Sequence, residues 1–188
     1  MIGHGWLAKR GNEGAVAGVP LDAGLPTRFE EFSLLESLLK AIPSGYAWDA
    51  GTGERPLWHI APFVIVGCGW KVLATDKSGA HLKLPSPPGV ERRVECMEAC
   101  SLPDGSVDLA ISISVIEHCR AEVIIGWVGE VLRVVKQGGY LFLTADNYDP
   151  TNLASMFSRE FDVGERAPDP PQQLSPKVGY LIAKRKIL

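Results

Sequence analysis

The sequence predicts an α/β fold, a doubly wound sheet of mainly parallel strands, and three observations predict it. Short apolar runs alternate with stretches of helical period along most of the chain. A Gly-rich turn, DAGTGER, follows the first of these runs, starting at Asp49. An acid, Asp76, ends the next strand 27 residues later. Alternating strands and helices imply right-handed crossovers, which leave neighbouring strands parallel and helices on both faces of the sheet.

Taken in order, residues 1–26 are rich in Gly and Ala with little periodicity and read as a mobile N-terminal arm; residues 27–188 read as a single domain. Phe29, Phe32, Leu35, Leu38, Leu39 and Ile42 recur at steps of three and four, an amphipathic helix. Thr27 with Glu30 makes a capping-box arrangement at its start, and Pro43 and Gly45 end it. Tyr46-Ala47-Trp48 leads into the Gly-rich turn, and Leu57 to Cys68 reads as a helix. Lys71 to Thr75 is a strand, Arg93 to Met97 another, and Val107 to Ile113 a clearer one. Glu122 to Val135 is a helix with apolar positions Ile124, Ile125, Val128, Val131, Leu132 and Val135, stopped by Gly138-Gly139. Tyr140 to Ala145 is an apolar strand, Asn152 to Phe161 a short helix, and Val178 to Ala183 the last strand.

Composition excludes several classes. The 188 residues are 46% hydrophobic and 22% charged, the balance of an ordinary globular chain with a real core. The formal charge of -3 gives no reason to expect nucleic acid or anionic membrane as a partner, because phosphate binding needs clustered positive surface. Lys184-Arg185-Lys186 is the only basic cluster and reads as a solvated strand end. Cys68, Cys96, Cys100 and Cys119 form no C-x-x-C pair and read as reduced thiols, mostly small core fillers. The N-terminus lacks the apolar stretch of a signal peptide, and Phe63 to Ala74 is too broken and short to span a bilayer. A cytoplasmic protein is expected.

The chemistry starts at Asp49-Ala50-Gly51-Thr52-Gly53-Glu54-Arg55. A tight Gly turn between strand and helix lets the backbone approach a ligand closely. In a β-α-β unit an acid at the position of Asp76 can accept hydrogen bonds from both ribose hydroxyls. Val64-Ile65-Val66-Gly67-Cys68-Gly69 imitates a dinucleotide fingerprint, but it lacks the third Gly, and Asp76 follows too soon to leave room for helix and strand. It reads as a helix end and a turn.

Four landmarks in this order, DAGTGER, KVLATDKS, MEACSLPDGSVDLAISISVIEH and EVLRVVKQGGYLFLTADN, resemble the class I S-adenosylmethionine-dependent methyltransferases, in particular the type 11 group. The resemblance covers about residues 45 to 147. It implies a Rossmann-like, seven-stranded sheet of order 3-2-1-4-5-7-6 with the last strand antiparallel. It also implies S-adenosylmethionine as cofactor: Gly51 and Gly53 pass under its methionine part, Asp49 faces its amino group, and Asp76 holds the ribose. Glu98 stands where the family usually carries an Asp toward the adenine amino group, with the Ala99 N–H facing the ring. Ser112 to Ser114 face cofactor and acceptor. Arg55 replaces the family's third Gly.

For catalysis, Glu117-His118 after the fourth strand offers a base for a hydroxyl or amine acceptor, with a structural brace as the other reading. Asp146-Asn147 resembles part of a catechol-type metal set, but one carboxylate and one amide are too few for a magnesium site. No metal is expected. The aromatic-proline tetrad of enzymes that methylate DNA amino groups is absent. His4, His59 and His81 show no recognisable partner. Trp48, Trp58, Trp70 and Trp127 read as packing residues, while Trp6 is placed to contact substrate. The resulting expectation is methyl transfer to oxygen, nitrogen or carbon of a small-molecule acceptor. A non-catalytic scaffold or partner subunit is the first alternative, and a nicotinamide-dependent oxidoreductase the second.

Overall fold

The computed structural model describes residues 26–54, 59–146, 154–164 and 178–187. The expected arm, Arg55, Trp58, Asn147 and the Pro-rich loop before the last strand lie outside the described residues. Seven strands form one sheet: β1 (Tyr46–Ala50), β2 (Lys71–Asp76), β3 (Val90–Val94), β4 (Val107–Ile113), β5 (Val135–Asp146), β6 (Phe161–Gly164) and β7 (Val178–Arg185). Their spatial order is β3-β2-β1-β4-β5-β7-β6. β1 pairs parallel with both β2 and β4, and β7 runs antiparallel to β5 and β6. The α/β class, the strand order and the antiparallel last strand are all as expected.

The core has two halves, one on each face of the sheet. On one face α1 (Pro26–Ala41) and α2 (Ala61–Gly67) bury Phe32, Leu35, Leu38, Leu39 and Ile65 against Leu109, Phe142 and Ile182. On the other, α3 (Ala121–Val134) and α4 (Ala154–Phe157) bury Trp127, Val128, Val131 and Phe157 against Trp48, Leu141 and Leu143. The central strands are therefore buried on both faces, which is why they read as nearly continuous apolar runs. Trp48, Trp70 and Trp127 are core residues as expected.

Several boundaries differ from expectation for physical reasons. α1 begins at Pro26, so Thr27 lies inside the helix rather than capping it. α2 begins only at Ala61, where Pro62 supplies the preset backbone angle of a first turn. β3 is Val90–Val94 rather than 93–97; it lies at the sheet edge, and its charged sequence VERRV carries little periodic signal. Gly138-Gly139 does not end a helix: β5 already starts at Val135, and Gly138 at φ 76° sits in a bulge where the pairing shifts between Val107–Val135 and Leu109–Tyr140. β6 occupies part of what reads as helix. Ile125, expected on the apolar face of α3, is 60% exposed. Among the cysteines, all free, Cys100 is buried, Cys68 and Cys119 are half-buried and Cys96 is exposed. No helix among the described residues is long and apolar enough to cross a membrane.

Candidate active site

The order of strands reverses between β1 and β4, and in open α/β sheets ligands bind beyond the C-terminal strand ends at that point. Asp49, Gly51, Gly53, Asp76 and Ser114 all lie there. Gly51 and Gly53 adopt φ of 82° and 85°, a region glycine enters without steric cost. β2 holds the turn in place: the Gly51 and Thr52 amides both donate to the Thr75 carbonyl at 2.9 Å. A Cβ on Gly51 would stand 2.7 Å from Val115 Cγ1, so the turn packs directly on the segment that follows β4.

Asp76 organises the second half of the turn. Its Oδ2 accepts from the Gly53 amide at 3.0 Å and its Oδ1 from the Ser78 amide at 2.9 Å. Asp49 is 2% exposed, and its Oδ2 has no hydrogen-bond partner among the described residues. Burial pushes the Asp49 carboxyl up to about 7; a hydrogen bond from the Thr52 side chain works against this and the nearby Asp76 reinforces it.

The loop after β3 carries the half-buried Glu98 and the exposed Ala99. The Ala99 amide donates to the Cys96 carbonyl at 3.1 Å, closing a turn. Glu98 packs tightly under α3, where a Cβ on Gly126 would meet Glu98 Cβ at 2.6 Å. Arg133 of α3 braces this loop through the Cys100 carbonyl (3.1 Å) and the Leu102 carbonyl (2.6 Å), while Glu130 accepts from the Cys100 amide (2.9 Å).

Past β4, Ser114 is the only described non-glycine residue at positive φ, 48°. Its Oγ donates to Glu31 Oε1 at 2.7 Å, and Thr144 Oγ1 donates to the same oxygen at 2.5 Å. Glu31 is wholly buried, so α1 brings a carboxylate onto the ends of β4 and β5. Sequence reading missed this residue. Its signal was a charge on the apolar stripe of a helix, three and four positions before Leu34 and Leu35.

Glu117 accepts from the Asp146 amide at 2.8 Å and so ties the segment after β4 to the end of β5. Its other oxygen is buried without a partner, and burial raises its pKa. His118 is exposed and its amide donates to the Val115 carbonyl at 3.0 Å. Among the described residues no group of three His, Cys, Asp or Glu side chains is placed to hold a metal ion.

Residues 49–143 match the family described as the methyltransferase domain. The chain belongs to this methyltransferase family. S-adenosylmethionine is the cofactor that this membership implies. Solved structures of similar fold include an S-adenosylmethionine-dependent methyltransferase from Aquifex aeolicus, 19% identical, with a TM-score of 0.63 over 85% of this chain and 93% of that one. A TehB-like methyltransferase from Corynebacterium glutamicum is 16% identical, covers 97% of both chains and has a TM-score of 0.64. The N-methyltransferase NodS from Bradyrhizobium japonicum, solved with S-adenosylhomocysteine, is 12% identical with a TM-score of 0.64 over 85% of this chain and 88% of that one. No curated protein sequence matches the chain significantly. The residues of this methyltransferase fit the cofactor's chemistry: a buried carboxylate oxygen without a partner among the described residues suits an ammonium group, and a tight turn of glycines at positive φ suits close backbone approach.

Proposed function

We propose that this methyltransferase acts on a small-molecule acceptor, with the cofactor held by Asp49, Gly51, Gly53, Asp76, Glu98, Ala99 and Ser114. The observation that carries this assignment is the buried, unpartnered Asp49 oxygen beside a glycine turn braced by Asp76. In this reading Asp49 receives the cofactor's ammonium and Asp76 its ribose hydroxyls. The bound cofactor supplies an electrophilic methyl group on a positively charged sulfur. The chain's own task is alignment: it must hold the nucleophile in line with that methyl and keep water away.

Acceptor binding belongs at the ends of β4 and β5, under α1. There Ser114 and Thr144 both give their hydroxyl hydrogens to Glu31. Glu117, with one buried oxygen unpaired and its pKa raised, is the better placed of the two catalytic candidates to take a proton. Exposed His118 would need to turn inward to reach an acceptor. Oxygen, nitrogen and carbon acceptors all remain within the proposal.

The test is formation of S-adenosylhomocysteine from S-adenosylmethionine with panels of small hydroxylated and amine compounds. Turnover that depends on one such compound, and falls at least about tenfold in Glu117→Gln, is the expected outcome. Turnover only with protein or nucleic-acid acceptors would overturn the small-molecule assignment.

A further inference from the structure

β3 is an outer strand of the sheet, and among the described residues it pairs only with β2. In a parallel pair alternate residues turn both backbone groups toward the partner strand, and those between turn theirs away. The Gly89 carbonyl accepts from the Val72 amide at 3.0 Å, and the Glu95 amide donates to the Asp76 carbonyl at 3.1 Å. Residues 89, 91, 93 and 95 therefore face β2. Val90, Arg92 and Val94 turn their amides and carbonyls to the open edge. Those of Val90 are held within its own loop, by the Pro87 carbonyl at 3.3 Å and the Ser86 hydroxyl at 3.4 Å. Among the described residues nothing holds those of Arg92 and Val94.

An open edge is a template for another strand, and folds commonly blunt it with lysines, prolines or bulges. β3 has none of these; its sequence, VERRV, carries both signs of charge in unbroken register with β2. Turned end for end, this strand meets itself with charges matched. With a two-fold axis at Arg92, Glu91 lies opposite Arg93 of the second copy, and Arg93 opposite Glu91 of the second copy. Val90 lies opposite Val94 at both ends. The backbone fits the same register: Arg92 faces Arg92 as a hydrogen-bonded pair, and the Val90–Val94 pairs are the next such pairs on either side. Centring the axis on Glu91 or on Arg93 instead sets like charges opposite one another, so the charges also fix the register.

The side chains suit this pairing on both faces. Glu91 and Arg93 share one face, are both exposed, and lie 2.6 Å apart at their charged ends. Arg92 at the axis would set like charge against like, but its guanidinium turns back onto its own chain. It donates to the His81 carbonyl at 2.9 Å and to the Leu84 and Pro85 carbonyls. On the Arg92 face the 3-10 turn Gly79–Lys83 packs along the strand, where a Cβ on Gly79 would lie 3.6 Å from Val94 Cγ2. Val94 and Leu82 of that turn are each 50% exposed, an apolar margin beside the edge.

We propose that β3 is an interaction surface for a second copy of this chain, paired antiparallel about Arg92 so that two seven-stranded sheets join into one. Backbone hydrogen bonds from Arg92 and Val94 supply the attachment, and Glu91 with Arg93 selects the partner and the register. The area is small for a protein interface, so the dimer dissociates on dilution and is half formed on the order of tens of micromolar.

The experiment is sedimentation velocity of the full chain from about 1 to 300 μM, a range that brackets that midpoint. Wild type is expected to pass from monomer to dimer across it. Val94→Pro removes an edge amide without breaking a bond to β2, and is expected to raise the dimer Kd at least about tenfold. Glu91→Arg and Arg93→Glu each set like charges opposite one another and are expected to stay monomeric alone. In an equimolar mixture of the two, residues 91 and 93 again meet opposite charges, and the mixture is expected to dimerise at least as well as wild type. Thermal unfolding checks that each variant is folded, and the charge reversals carry the test if Val94→Pro does not fold. A wild type that stays monomeric throughout overturns the proposal. A dimer that survives Val94→Pro and both charge reversals places the interface elsewhere and overturns it too, as does a mixture that fails to associate.

Discussion

At the scale of single residues, Gly51 and Asp76 do different work in the same turn. Gly51 is required by its φ of 82° and by Val115, which occupies the space a side chain would need. Gly51→Ala adds about 1 kcal/mol of backbone strain and pushes Val115 out of place. We expect it to lower the melting temperature by a few degrees and to remove most S-adenosylhomocysteine affinity, read by thermal unfolding and calorimetry. Asp76 is required as an acceptor on both oxygens, from the Gly53 and Ser78 amides. Asp76→Ala leaves two amides unpaired besides losing the proposed ribose contact. It is expected to lower S-adenosylhomocysteine affinity by about tenfold to a hundredfold, with Asp76→Asn in between. Retained wild-type affinity in the Ala variant would remove Asp76 from the site.

At the scale of elements, α1 and α3 bring side chains to strand ends they do not follow in sequence. Glu31 docks α1 through Ser114 and Thr144. Glu31→Leu strands two buried hydroxyls and is expected to cost roughly 2 kcal/mol in urea unfolding, with Glu31→Gln costing less. Arg133 of α3 clamps the loop before β4 and pairs with Glu130 at 2.7 Å. Its bridge to Asp104, which is 81% exposed, is worth little, so the carbonyl contacts and Glu130 carry the effect. Arg133→Ala is expected to destabilise the protein by about 1–2 kcal/mol and to weaken cofactor binding severalfold without touching the cofactor. Arg133 lowers the Glu130 carboxyl to about 2, so its contribution is complete above the ordinary carboxylate range and is lost as pH falls toward 2. The stability deficit of Arg133→Ala should therefore shrink in acid.

For the whole molecule, two buried groups near the turn titrate against each other. Folding raises the Asp49 pKa to about 7, so its contribution is present below its ordinary value of 3.8 and is lost as pH rises through about 7. Folding lowers the His59 pKa to about 4, so its contribution is present above its ordinary value of 6.5 and is lost as pH falls through about 4. Between these values the folded chain keeps a proton on Asp49 and lacks one on His59, and the unfolded chain does the reverse. The pair then adds almost no slope to stability against pH. Each single variant should expose the partner. Asp49→Asn is expected to lose stability as pH falls from about 6.5 to 4, and His59→Asn to lose it as pH rises over about 4 to 7, each on the order of 2 kcal/mol. Urea unfolding at both ends of the range checks the signs; slopes of the same sign in both variants would refute the opposition.

Much of this was legible along the chain. The apolar runs of β2, β4 and β5 and the period of α1 come from local alternation, and the glycines with Asp76 form a pattern contained within 28 residues. β6 was not legible, because Phe157 and Phe161 stand four apart like one helix face. In the fold they stack edge-on at 5.7 Å across a helix end and a strand that β7 pairs with. Glu31 meets Thr144 across 113 positions. By itself, then, the sequence determined the α/β class, the glycine turn and the acid at the next strand end, since these rest on contacts near in sequence and on backbone angles. Only the tertiary structure decided that Glu31 reaches the ends of β4 and β5, that His59 meets Thr52 of the glycine turn, and how far burial moves the protons of Asp49 and His59. Such pairings and the loss of water arise when distant segments pack, and no local periodicity encodes them.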